Sequence, residues 1–161
     1  MGPDVSAPLI FPQLGPIYQS LAPVADTLIR VVVGLALMPH ACRFCFGWFP
    51  ETGSRILSID LMVGALTRSG YRPPRLWAYV IAVTELAGGP LIALGLFTRP
   101  VALVVFIFLI NAVIEHARFD GYFWNKLGLE YPMIWSAAML FFVVHGGGHY
   151  SLDYWLLRHE F

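Results

Sequence analysis

Three polar side chains lie inside long apolar stretches of this sequence: Arg30, Glu85 and Asn111. Glu85 is the only Asp, Glu, Lys, Arg or His between residues 76 and 96, and Asn111 follows an unbroken apolar run from Val101 to Ile110. A charge at membrane depth costs several kcal/mol unless it is paired, so such groups face the protein interior and mark function. Counted at about 1.5 Å per residue from the face carrying the termini, Arg30 lies roughly 9 Å deep, Asn111 roughly 16 Å and Glu85 roughly 18 Å. Two long side chains can close a gap of about 9 Å, which makes an Arg30–Glu85 pair the expected arrangement. Nearer the opposite face, at about 22 to 24 Å, His40, Glu115 and His116 share a level with Glu130. Helices of a bundle can assemble a metal or proton site in this way. The repeated Glu-x-x-His spacing of di-iron bundles is missing, however, and adjacent Glu115 and His116 diverge by about 100° on a helix. We therefore expect interfacial polar groups or a hydrogen-bonded network there, and no metal.

Cys42-Arg43-Phe44-Cys45 is a C-x-x-C. That spacing permits a reactive disulfide, and a neighbouring arginine favours the thiolate. Phe46 stands where a haem-attachment motif needs His, and two cysteines are too few for structural zinc. A redox dithiol and a pair of small apolar fillers both fit the sequence. Gly88-Gly89-Pro90 removes side chains and one backbone donor in mid-helix, which suits a packing notch or a widened cavity for a flat ligand such as a quinone head group.

The elements that must position these groups follow from composition. Of 161 residues 58% are hydrophobic, 12% are charged, and the net charge is zero; the mean hydropathy is +0.68. So small a body cannot hide that much apolar surface from water, which excludes a soluble monomer. Without a basic field, nucleic-acid binding is excluded as well. The expected fold is all-α: an integral membrane four-helix bundle with spans at about 21–42, 76–96, 101–117 and 131–147 inside a transmembrane domain at 21–153. The stretch from Ile56 to Leu66 is too short to cross and suits an amphipathic helix in the interface, within the long first loop that begins at Arg43. A tight turn is expected at 97–100. Residues 1–20, with Pro3, Pro8, Pro12 and Pro16, read as an extended tail, and 154–161 as a C-terminal tail. Met1-Gly2 also opens a short myristoylation-like pattern that six residues match easily by chance. Gly146-Gly147-Gly148 ends the last span as a cap, after which Ser151 or Asp153 starts a short surface helix. Arg43, Arg55, Arg68, Arg72, Arg75, Arg118 and Lys126 on one face outnumber Arg99 and Arg158 on the other. The positive-inside rule then places both termini on the non-cytoplasmic side, in the inner membrane if the source is bacterial.

Three segments together resemble the DoxX family of small four-helix membrane proteins. They are Leu28-Ile29-Arg30 through Pro39-His40 to Phe46-Gly47, Glu85-Leu86-Ala87-Gly88-Gly89 through Gly95 to Pro100, and Gly146-Gly147-Gly148-His149-Tyr150-Ser151-Leu152-Asp153. Ala41 replaces the Gly, and Phe44 the Lys, of the family's Pro-His-Gly-x-x-Lys-x-Phe-Gly ending, so Arg43 must serve if a cation is needed there. The resemblance implies redox work, because the family includes the membrane part of a thiosulfate:quinone oxidoreductase and components of thiol-redox assemblies. It directs attention to Arg30, His40, Glu85 and Arg99.

Two functions are expected from these readings. One is a membrane subunit of a quinone-linked or thiol-linked oxidoreductase system. In it His40, Glu85, Cys42 and Cys45 are catalytic, and Arg30, Glu85, Asn111 and Arg99 bind ligand. The chain carries no cofactor motif of its own, so a quinone, a partner protein subunit, or both would complete it. The other is a non-catalytic accessory or scaffold subunit that stabilises a larger membrane complex.

Overall fold

The computed structural model describes residues 8–159, all helix, turn or loop without a strand. The five α-helices are α1, Gly15–Phe46; α2, Ile59–Arg68; α3, Pro74–Leu94; α4, Thr98–Phe119; and α5, Glu130–His145. Short 3-10 turns occupy Pro12–Leu14 and Trp124–Lys126, and a single π-helical turn occupies Asp153–Leu157. Pro12–Phe46, Pro74–Leu94 and Thr98–Phe119 are long and apolar enough to cross a membrane. α5 has 16 residues, about 24 Å of helix, and falls short of that length.

Several boundaries differ from the sequence expectation, each for a local reason. α1 begins at Gly15 rather than Leu21, and a 3-10 turn at Pro12–Leu14 precedes it, so residues 12–20 of the expected tail are helical. Pro16 sits in the first turn, where a missing N–H costs nothing. Further along, the Thr27 hydroxyl donates to the Pro23 carbonyl at 2.7 Å, and the helix continues through both Pro23 and Pro39. It runs past Cys42 to Phe46 and stops at Gly47, whose φ of 69° suits a residue without Cβ. Arg43 thus belongs to a helix and not to the first loop. Within that loop α2 starts at Ile59, where the Ser58 hydroxyl accepts from the Leu61 N–H at 3.2 Å. α4 starts at Thr98 rather than Val101, α3 covers 74–94 rather than 76–96, and α5 ends at His145. Residues beyond Asp153, expected as a tail, begin with the π turn. The myristoylation-like pattern, which begins at Met1-Gly2, lies outside the described residues.

α1 packs on α3, α3 on α4, α4 on α5, and α2 on α3. Glycines let the first pair approach closely. A Cβ on Gly34 would lie 2.6 Å from the Gly89 carbonyl oxygen, and one on Gly89 would lie 2.7 Å from the Gly34 oxygen. The register is antiparallel, with Gly34 opposite Gly89, and it carries the Gly88-Gly89-Pro90 segment as a packing notch. One apolar core joins Val33, Leu37, Ile92, Ala102, Val105, Leu109, Met139 and Phe142. A smaller one joins Ala41, Phe44 and Ala82. The middle of α1 around Arg30, the end of α3, the start of α4 and the end of α5 share one end of the bundle, so polar groups there come from residues distant in sequence.

Candidate functional site

Arg30 does not pair with Glu85. Its side chain is 1% exposed, and Nη1 donates to the carbonyls of Ile92 at 2.9 Å and Ala93 at 2.7 Å. Nη2 donates to the Tyr150 carbonyl at 2.8 Å. Side chains on a helix lean toward its N-terminus. In the antiparallel register, Arg30 therefore leans away from Glu85 and toward the last carbonyls of α3, which lack intrahelical donors and carry the negative end of the helix dipole. Gly95 turns the chain at φ 70°, and a Cβ there would collide with the Arg30 guanidinium.

Asp153, absent from the sequence-derived site, closes the same end. Its carboxylate accepts from the backbone N–H of Phe97 at 2.7 Å and of Thr98 at 2.8 Å, and from the Thr98 hydroxyl at 2.7 Å. The Asp153 N–H donates to the Gly95 carbonyl at 2.8 Å. α4 thus receives its N-terminal cap from a residue far along the chain, which explains its early start. The sequence signal was present as Asp153 at the close of the glycine-rich segment, but local reading assigned it to its own surface helix. Arg99 likewise serves a helix end, donating to the carbonyls of Val143 and Val144 in α5.

Glu85 lies on α3 between these levels and is 6% exposed. Its Oε2 is buried without a hydrogen-bond partner, as is Nε of Arg43. The two charges act on each other across the α1–α3 contact. The lean that carries Arg30 away from Glu85 carries Arg43, at the other end of α1, back toward it. The Glu85 charge also reaches Cys45. Cys42 is buried and Cys45 half-buried, and both are free thiols. Arg43, Glu85, Cys42 and Cys45 form the candidate site: an acid, a cation and two thiols in the apolar α1–α3 interface. Arg43 was legible in the sequence as the neighbour that favours a thiolate and as the substitute for the family lysine.

The remaining predicted residues fall elsewhere. The His40 ring meets Trp135 edge-on at 5.3 Å. His116 bonds Asp120 at 2.9 Å, Glu115 accepts from the Ser69 hydroxyl, and Glu130 accepts from the Trp124 N–H at 3.1 Å. These groups share one end of the bundle but take separate partners, and no three His, Cys, Asp or Glu among the described residues are grouped to hold a metal. Asn111 donates to the Ile107 carbonyl at 2.8 Å. It lines a shallow cleft of about 270 Å³ with Ser69, Tyr71, Glu115 and Arg118, apart from Glu85.

Three long apolar helices with polar groups closing their ends define an α-helical integral membrane protein. The family model DoxX matches residues 25–118, more than half of the 161-residue chain, and the chain belongs to that family. The match runs from α1 to α4, and the glycine-rich segment ending at Asp153 lies beyond it. No curated protein and no solved structure matches the chain.

Proposed function

We propose that this chain is the membrane subunit of a thiol-linked oxidoreductase system that delivers electrons to a quinone, with α5 as a fourth, short crossing and α2 in the interface. The observation that carries this reading is the Glu85 carboxylate, buried with one oxygen unpartnered and within electrostatic reach of Arg43 and the Cys45 thiol. Oxidation of Cys42 and Cys45 to a disulfide releases two electrons and two protons. A quinone takes up both to become a quinol, and in this reading Glu85 accepts the Cys45 proton on the way. The reductant that restores the dithiol is a thiol of a partner subunit or substrate. Arg55, Arg68, Arg72, Arg75, Arg118 and Lys126 still outnumber Arg99 and Arg158, which supports termini on the non-cytoplasmic side of the membrane, the inner membrane if the source is bacterial, and thiols toward the cytoplasm.

Cys45→Ser and Glu85→Gln in proteoliposomes, assayed for thiol-driven reduction of a short-chain quinone, should each lower the rate at least tenfold. Rates equal to the unsubstituted protein in both variants would remove the proposal. A scaffold role is favoured by one observation: Arg30, Arg99 and Asp153 are committed to closing helix ends. Recovery of a stoichiometric partner after mild extraction, with Cys45→Ser leaving the activity of the assembly intact, would support that role.

A further inference from the structure

α1 is longer than the bundle it joins. It has 32 residues against 21 in α3, and Arg30 already reaches the last turn of α3. Gly15 to Ile29 therefore run on past the end of α3 by roughly 22 Å. Tyr18, Leu21, Leu28, Val32 and Leu35 on this helix are each about half exposed or more, and Ala25 is exposed with them. Their spacing alternates three and four residues, which is the a/d spacing of a left-handed coiled coil. Leucine recurs at every d position, Leu21, Leu28 and Leu35, and Leu14 continues the series one heptad earlier. The opposite, f positions are Pro16, Pro23, Arg30, Leu37 and Phe44, of which the last three are buried against the bundle. Both N-terminal prolines thus fall where they leave the seam uninterrupted. The e and g positions Ala22, Val24, Ile29 and Val31 carry no charge that would oppose a like helix.

We infer that this seam is a parallel, two-fold contact between two copies of the chain. A like helix is the occupant that the pattern fits, because leucine at d with β-branched Val32 at a favours two parallel strands, and the same patch must face itself across a two-fold axis. The six seam residues present on the order of 500 Å² per chain, so pairing removes on the order of 1,000 Å², the lower bound for a specific interface. Past the end of α3 this stripe stays apolar and exposed, which leaves it open to a second copy of the helix.

The test is disulfide mapping of the full chain in lipid nanodiscs and native membranes. With Cys42 and Cys45 replaced by Ser, single cysteines are placed at Leu21, Ala25 and Leu28 on the seam and at Gln19 and Asp26 off it. Mild oxidation should convert the seam variants to dimers of twice the chain mass at least tenfold more than the off-seam variants. Leu21→Ser with Leu28→Ser, which alters no buried side chain, should shift the otherwise unsubstituted protein from dimer to monomer by mass photometry, with its helical circular dichroism unchanged. Equal cross-linking from all positions, cross-linking only to a protein of another mass, or a monomer in both measurements would each overturn the inference. The quinone-reduction assay is independent of all three.

Discussion

Replacing Asp153 by alanine should unlock one end of the bundle. The carboxylate is 1% exposed and holds three donors at 2.7 to 2.8 Å, the N–H groups of Phe97 and Thr98 and the Thr98 hydroxyl. The hydroxyl can rotate to another acceptor, whereas the two amides are fixed by the helix. At about 1–3 kcal/mol for each buried donor left unsatisfied, with the lost dipole interaction added, the expected cost is about 3–5 kcal/mol. Asp153→Asn keeps one acceptor oxygen and should cost about half as much. Arg30 closes the same end and feels the Asp153 charge. A cycle of Asp153→Asn with Arg30→Met should therefore show a coupling of about 1 kcal/mol or more. Unfolding by SDS titration from lipid bicelles, followed by tryptophan fluorescence, measures each term. An Asp153→Ala protein within about 0.5 kcal/mol of the unsubstituted one would refute the reasoning, because surface caps alone reach that value.

Three further outcomes follow from the same geometry. Gly34→Ala should destabilise by about 2 kcal/mol, since its Cβ would sit 2.6 Å from backbone atoms of both Gly89 and Ala93, while Gly64→Ala, with only the Arg68 side chain at 3.7 Å, should be neutral or slightly stabilising in the same titration. Arg43→Met should cost about 3–5 kcal/mol by stranding the Glu85 carboxylate, and adding Glu85→Gln should recover most of that loss; no recovery would show that the two do not interact. Tyr71, in the loop before α3, has its phenol pushed above the ordinary tyrosine range by partial burial and, second, by Glu115. Its contribution is full below the unfolded value near pH 10 and is lost as pH rises through the folded value, so Tyr71→Phe should flatten the alkaline fall in stability and remove a phenolate absorbance that titrates above the ordinary tyrosine range.

How much of this was readable beforehand depends on the range of the force involved. Long apolar runs with few charges imply helices in lipid because backbone groups there must bond within their own segment, so the sequence by itself determined the helical class, the membrane and the family. It also marked Glu85 as buried and Cys42 and Cys45 as a C-x-x-C pair, but it put Cys45 in the first loop, where the structure continues the helix to Phe46. Depth counting treats a helix as a line, however, and puts Arg30 within reach of Glu85. Only the packed antiparallel pair, with Gly34 against Gly89, decided that the lean of each side chain sends Arg30 to the end of α3 and Arg43 to Glu85. Asp153 lies beyond any local window, because the helix that it caps ends before α5 even begins. Hydropathy acts residue by residue and is written in composition, whereas a cap or an ion pair between distant segments exists only once the chain has brought them together.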